Sequence, residues 1–434
     1  MQSYNAPSRE IEVKLDFYFT DKPVSVDRSN YLISFNLLEE LGSDSPTSPV
    51  GDVSANELDI KLLNYKGVFS PSNPKSPYYG MMKAGVKVVV KMRTTDKTEW
   101  DDMGTFYVDD WYAEVTGLQA TVTCYDKMQS ILNAPTPILP VVKSTAYTTA
   151  FSTLFDSLTA SYTIDESLDG ELPLWYTLTK TSDTLKKLSN ACLAASFCNR
   201  SGDIEVLDIT TPKEVKEVLR DSDQIISANV VQSINRAYDG LKITVNNSQV
   251  SSSISLLDLK EYTADVGTKT SEPLKFSKRP VAMLESVSLA SASSLVALQR
   301  VEYTTDVVQI TVTNEDTQLA ICSIEAMGRI VEVIKSTYTE SGLNPLDLDN
   351  EYVQDNLAAD KLDKVLSRYV ASNLPSLNLS IRGNPNYHLG DKLTVESTKY
   401  NLNFTGILQR ANYTYDGALR CDITLISSLV LEVV

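Results

Sequence analysis

The stretch Ser54-Ala-Asn-Glu-Leu-Asp-Ile-Lys-Leu-Leu-Asn64, together with the residues from there to Met128, decides how this chain folds. Leu58, Ile60 and Leu62 fall two apart, as do Val86, Val88 and Val90, so each run lines one face of a half-buried strand. Between them Gly67-Val-Phe-Ser-Pro-Ser-Asn-Pro-Lys-Ser-Pro-Tyr-Tyr-Gly80 carries Pro71, Pro74 and Pro77. Each proline removes a ladder donor, which excludes a central strand and predicts an extended arm across the surface. Gly104-Thr-Phe-Tyr-Val-Asp-Asp-Trp111 and Ala120-Thr-Val-Thr-Cys-Tyr-Asp-Lys127 add two more strands. The stretch reads as one barrel or sandwich subdomain.

Working outward, Ile11, Val13, Leu15, Phe17 and Phe19 alternate, and so do Ile33, Phe35 and Leu37. The segment Gly42 to Gly51 has turn-former composition and predicts a solvent-facing loop. Ala134-Pro-Thr-Pro-Ile-Leu-Pro140 marks a boundary, since it continues neither helix nor central strand. Beyond it the period becomes helical: Phe151, Leu154, Phe155 and Leu158 form one stripe. A second helix is expected from an N-cap at Ser182 or Asp183, with Leu185, Leu188, Cys192 and Ala195 on one face. A turn at Asn199–Asp203 then leads into a strand over Ile204–Ile209. Further on, Leu241, Ile243 and Val245 alternate, Glu325 to Tyr338 fits either period, and Asn350 to Tyr369 reads as a helix. Asp347 and Asp349 are expected near its positive end, and Pro375 is expected to stop it.

At 434 residues the chain has room for two to four domains. No apolar run approaches the roughly 20 residues of a membrane span, and Met1 to Glu10 holds no signal-peptide core. Five scattered cysteines predict buried reduced thiols. The net charge of −17 argues against a nucleic-acid-binding surface, because phosphate neutralisation needs clustered Lys and Arg. Tyrosine outnumbers phenylalanine, 22 to 10, which suits strands and interfaces alike.

Convergent catalytic groups are scarce. His388 is the single histidine, and no nucleophile elbow, Cys-x-x-Cys or His-Glu-x-x-His accompanies it. Asp101-Asp102 and Asp109-Asp110 are adjacent in strands, so each pair is expected to point to opposite faces. Asp347-Leu-Asp-Asn-Glu351 lacks the glycine and closing glutamate of a calcium loop. No catalytic residue, metal ligand, cofactor or phosphate-cradling loop is expected, and the chain reads as no enzyme.

The order of pieces from Leu62-Leu-Asn64 through Phe69-Ser-Pro, Tyr78-Tyr-Gly80, Gly85-Val-Lys-Val-Val-Val90 and Gly104–Trp111 to Lys127 resembles the N-terminal domain of tail-tip hub proteins of tailed bacteriophages. The match covers the first third; the rest agrees in general layout. What the resemblance implies is a mainly β chain with α+β insertions: two tail-tube-like β-barrel domains plus a small α+β module. Residues 1–133 would form the first barrel, 134–222 the module, 223–247 with 374–434 the second barrel, and 248–373 an inserted α+β region. It further implies a structural virion protein, a homotrimeric baseplate hub. Such a hub closes the tail tube and joins it, or a distal tail protein, to the central spike or fibre. Phage DNA would pass through at ejection without specific binding. The protein would sit in the virion tail after assembly in the host bacterial cytoplasm. With the chain ending at Val434, no wall hydrolase is expected after the hub region.

Phe69, Pro71, Tyr78 and Tyr79 are the candidate interface, either as an arm against a neighbour or as a loop folded over its own barrel with Phe69 and Tyr79 plugging an end. A duplication is also expected. Leu58–Lys61, Gly85–Val90, Gly104-Thr-Phe and Thr121–Cys124 recur in order as Leu379–Arg382, Gly390–Val395, Gly406-Ile-Leu and Cys421–Thr424, with Ile225 to Asn246 opening the second copy. The alternative reading is a receptor- or carbohydrate-binding β protein with Trp100, Trp111 and Trp175 as platforms.

Overall fold

The computed structural model describes Tyr4 and residues 9–42, 52–114, 117–137, 139–211, 213–221, 225–231, 238–257, 261–372, 376–399 and 401–427. The protein is mainly β. Its first part comprises β1 (Ile11–Tyr18), β2 (Val24–Asp27), β3 (Leu32–Glu40), β4 (Glu57–Leu63), β5 (Lys87–Thr94), β6 (Asp101–Ala113), β7 (Gln119–Tyr125) and the short helix α1 (Lys127–Leu132). These strands hydrogen-bond in the order β3-β4-β7-β6-β5-β1-β2, all antiparallel. The two-residue periods read from the sequence hold: Leu58, Ile60, Leu62, Val88, Val90, Val122 and Cys124 are buried on one side. Much of the Gly42–Gly51 segment lies outside the described residues, as do Pro375 and the chain beyond Ser427.

Next come β8 (Val142–Ala146), α2 (Tyr147–Ser157), β9 (Tyr162–Ile164), β10 (Glu171–Trp175), α3 (Thr181–Cys192), β11 (Ala194–Cys198) and β12 (Ile204–Asp208). The helical stripe is as expected, with Phe151, Leu154 and Phe155 fully buried. Ser182 and Asp183 fall inside α3, whose cap position is Lys180, and Ala195 belongs to β11. The helix stops at Leu193, left-handed at φ 60°. The chain then supplies β13 (Val215–Arg220), β14 (Ile225–Val231) and β15 (Gly240–Val250).

An excursion comes after β15: β16 (Ile254–Ser255), β17 (Tyr262–Ala264), β18 (Gly267–Thr270), β19 (Leu274–Lys275), β20 (Val281–Ser291), β21 (Val296–Tyr303) and β22 (Val307–Asn314). The return strand β23 (Ala320–Glu340) is 21 residues long, so the ambiguous Glu325–Tyr338 is strand. Two sheets, β16, β17 and β20 on β23 and β18, β19 and β21 on β22, enclose their own core of Leu256, Phe276, Val308, Ile310, Ile324 and others. The second half of β23 pairs with β15, which also takes β24 (Pro345–Asp349) in parallel. Helix α4 (Asn356–Ser372) begins later than expected. Its first turn is capped by Asp355, whose Oδ1 accepts from Ala358 N–H at 2.8 Å; Asp347 and Asp349 lie in β24 instead. Leu241, Ile243, Leu346, Leu348, Leu362 and Leu366 share one core with α2, α3 and β12. The α+β body is therefore larger than the expected 134–222 module, and the inserted region splits between that body and the sandwich. The reason is physical: an alternating strand buries one face equally well in any sheet, and only its partners decide which.

The last strands, β25 (Ser376–Arg382), β26 (Lys392–Ser397), β27 (Leu402–Tyr415) and β28 (Leu419–Ser427), return to the main sheet. They pair in the order β14-β25-β28-β27-β26-β13. Strand for strand this repeats β3-β4-β7-β6-β5-β1, except that β13 joins β26 in parallel where β1 joins β5 antiparallel. The bulges agree as well: one residue is extra between Val108 and Asp110 in β6, and one between Leu408 and Arg410 in β27. Gly85 N–H bonds Val108 C=O at 2.7 Å, and Gly390 N–H bonds Leu408 C=O at 2.9 Å. Both glycines have φ near +80°, a conformation costly for any other residue, just before the equivalent strands β5 and β26.

This register aligns Leu58 with Leu377, two residues from the alignment expected at that step, and Cys124 with Leu425, one residue from it. The slip of two preserves which residues face inward, so the letters cannot detect it; the slip of one corrects a pairing that set the half-buried Thr121 against the buried Cys421. Within Ile225–Asn246, β14 does belong to the second half, while β15 goes elsewhere and the half opens earlier, with β13, in the region assigned to the module. The halves join edge to edge through β27 and β3, with Arg410 opposite Glu40 and Tyr415 opposite Phe35. They share one core. Among the described residues no helix is long and apolar enough to cross a membrane.

Candidate functional site

The proline loop is not an extended arm. Ser70, Asn73, Ser76 and Tyr79 N–H groups bond the carbonyls of Gly67, Ser70, Asn73 and Ser76 at 3.0–3.2 Å. Pro71, Pro74 and Pro77 therefore each occupy the second position of a tight turn, with Ser or Asn before them, the placement their fixed φ favours. Side chains lock the series: Asn64 Oδ1 accepts from Phe69 N–H and its Nδ2 donates to Ser70 Oγ, both at 2.8 Å. Asn73 Nδ2 donates to Gly67 C=O at 2.9 Å.

Folded this way, the loop drives Phe69 into the end of the first half. Phe69 is fully buried, edge-on to Tyr31 (5.1 Å between ring centres) and stacked with Tyr78 (5.7 Å). Its carbonyl accepts from Trp111 Nε1 at 2.9 Å. Tyr78 stacks on Phe19 at 4.9 Å and is half-buried, whereas Tyr79 is 54% exposed and Pro71 half-exposed. The structure thus separates the four candidates: Phe69 and Tyr78 belong to the plug, Tyr79 and Pro71 to the surface.

A buried ion pair missed in the sequence ties three parts of the molecule. Arg200, in the turn between β11 and β12, meets both carboxylate oxygens of Glu39 on β3 at 2.7 Å. It also donates to the carbonyls of Pro385 and Tyr387 and to Tyr413 Oη on β27, packing against that ring. Burial works against the charge, and Glu39 more than offsets it, raising the guanidinium further. A lone arginine in an Asn-Arg-Ser-Gly-Asp turn was the only signal available.

His388 stands beside this point. Its Nδ1 lies 3.2 Å from Lys216 Nζ and 3.9 Å from Asp391. Burial, Arg200 and Lys216 hold the imidazole below its usual range. The other conspicuous carboxylates gather on the solvent side of β4, β7 and β6. Asp59 accepts from Thr123 Oγ1 at 2.7 Å, and burial, Asp59 and Glu40 push the Glu57 carboxyl up. Asp109 and Asp110 are both exposed, contrary to strict alternation, because Asp109 is the extra residue of the bulge between Val108 and Asp110. Asp101 is half-buried and Asp102 exposed. All five cysteines are buried and free, and among the described residues no group of three His, Cys, Asp or Glu could hold a metal. As platforms, two tryptophans are poorly placed: Trp175 is buried and Trp111 lies in the plug. Trp100 is half-exposed, with Lys14 and Arg93 over its ring.

No family model and no curated protein matches this chain. Solved structures do. The 43 kDa tail protein of prophage MuSo2 from Shewanella oneidensis superposes with a TM-score of 0.54 at 10% identity, covering 96% of this chain and 98% of that one. A tail protein from Neisseria meningitidis gives 0.52 at 9% identity, covering 96% of each. The chain therefore has the fold of these phage tail proteins across nearly its whole length.

Proposed function

We propose that the protein is a structural component of a phage tail, the hub at the end of the tail tube. It would join the tube or a distal tail protein to the central spike or fibre and the baseplate. The observation that carries this reading is the repeat itself: two six-stranded units of one pairing order, joined edge to edge in a chain with a tail-protein fold. A chain carrying two like units matches a ring of six units with three copies, which is how a hub would meet a six-fold tube and offer a three-fold lower face. The homotrimer and DNA passage are parts of this proposal. So is the absence of enzymatic activity, and so is assembly in the host bacterial cytoplasm before incorporation into the virion tail. Glu57, Asp59 and Asp109 would line the bore, repelling DNA within the roughly 8 Å that such charges reach at physiological salt.

Native mass measurement of the full chain at high concentration tests this. Trimers are expected, with interfaces on the order of 2,000 Å² or more. A monomer both in isolation and within purified particles would overturn the proposal.

A further inference from the structure

The main sheet of one copy ends in two edges that complement each other. At the internal junction, β3 of the first half pairs with β27 beyond its bulge: Asn412 opposite Leu38, Tyr413 opposite Leu37, Thr414 opposite Asn36. Aligned on their bulges, β6 and β27 place Tyr112, Ala113 and Glu114 where Asn412, Tyr413 and Thr414 stand. Aligned on β4 and β25, Leu38, Leu37 and Asn36 correspond to Val231, Val230 and Asn229 of β14. So the edge of β6 from Asp110 onward is the first half's counterpart of the surface that β3 covers on β27. The outer edge of β14 is the counterpart of the edge by which β3 does so.

Among the described residues neither edge is used within the chain: β14 pairs only with β25, at the end of the sheet. Among the described residues, β7 alone ladders with β6 beyond Val108, and the only other backbone bond there closes the Glu114–Gly117 turn. The proline loop contributes no backbone bond to residues 109–113. Trp111 N–H is satisfied by the carboxylate of its own neighbour Asp110, at 2.8 Å. Tyr112 is 59% exposed and Ile226, on β14, 52%. Long unpaired edges with exposed apolar side chains are sites of strand addition.

We infer that the β6 edge from Asp110 to Glu114 receives β14 of a second copy, antiparallel, in the register of the internal junction. Tyr112 then faces Val231, Ala113 faces Val230 and Glu114 faces Asn229. Donor and acceptor edges differ, so the contact is head-to-tail, the kind that closes rings when the rotation allows. The inside of such a ring is one uninterrupted sheet in which the junctions within and between chains alternate. This deepens the proposed hub reading by naming its subunit contact.

Directly opposed residues of an antiparallel pair lie about 4.5–5.5 Å apart at Cα, within the span of a disulfide. The test is therefore the double variant Tyr112→Cys and Val231→Cys in the full chain, oxidised and run without reductant; the buried native cysteines give little background. Covalent oligomers closing at three are expected, absent in either single variant. At least tenfold less cross-linking is expected for the mis-registered pair Tyr112→Cys with Val230→Cys. Glu114→Cys with Asn229→Cys serves as a second in-register pair if the first melts early in reduced form. Trimers by native mass with no cross-link at either in-register pair would overturn this junction and leave the hub reading standing. Cross-links that close at another number would uphold the junction and overturn the trimer. A chain free of cross-links and monomeric both at every concentration in isolation and within purified particles would overturn both.

Discussion

Arg200 and Glu39 show what a single residue contributes here. The pair is buried, bidentate and shared by β3, the β11–β12 turn and the loop before β26, so removing one partner strands the other charge without water. Arg200→Met is expected to cost about 3–5 kcal/mol. Chemical denaturation would read this as a lower midpoint, and the double variant with Glu39→Leu should recover much of the loss. Asp126 supplies a pH signature. It caps α1 and accepts from Asn56 N–H at 3.0 Å and Met128 N–H at 2.9 Å, yet burial outweighs those bonds and pushes its carboxyl up to about 7 from 3.8. Between those values the folded chain keeps a proton that the unfolded chain has released. This group's contribution is thus full below about pH 4 and falls as pH rises toward 7, by at most roughly 4 kcal/mol. Asp126→Asn should flatten that part of the stability–pH curve; an unchanged slope would place the proton elsewhere.

Among the elements, the proline loop separates two roles that the sequence left mixed. Phe69→Ala empties the plug between Tyr31, Tyr78 and Trp111 and should lower stability by about 3–5 kcal/mol. Tyr79→Ser touches only the surface, so the melting temperature should move by less than about 2 °C while any assembly through that face weakens. Equal losses of stability in the two variants would contradict this division. The turns were legible: Ser or Asn followed by proline every three residues fits successive turns as well as it excludes a strand. Hairpin strands such as β1, β4 and β7 were legible because burial on one side imposes a period of two. The partners of β15 were not, since its letters suit any half-buried sheet. Nor was the contact of Arg200 with Glu39, which lie 161 residues apart.

At the scale of the molecule, three large cores among the described residues define three bodies: the repeated sheet, the α+β body with β15, β24 and α4, and the sandwich; a small fourth cluster of Leu174, Tyr176, Ala282 and Val331 joins the last two. The sandwich enters and leaves beside Ser251 and Ile330, whose backbones are bonded at 2.9 Å. Replacing residues 252–329 by a two-residue turn should therefore leave a folded, cooperative chain, because β15 and β23 already form the hairpin that remains. Loss of cooperative unfolding would show the sandwich to be integral. The larger claim is that the repeated sheet is a ring segment at the end of a tail tube. Electron cryomicroscopy of the tail end of purified particles tests it most directly. The predicted result is three copies about the tail axis, both sheet units of each forming one continuous six-unit ring against the tube. Density for this chain at the tail periphery, or a ring in which only one unit of each copy takes part, would contradict it.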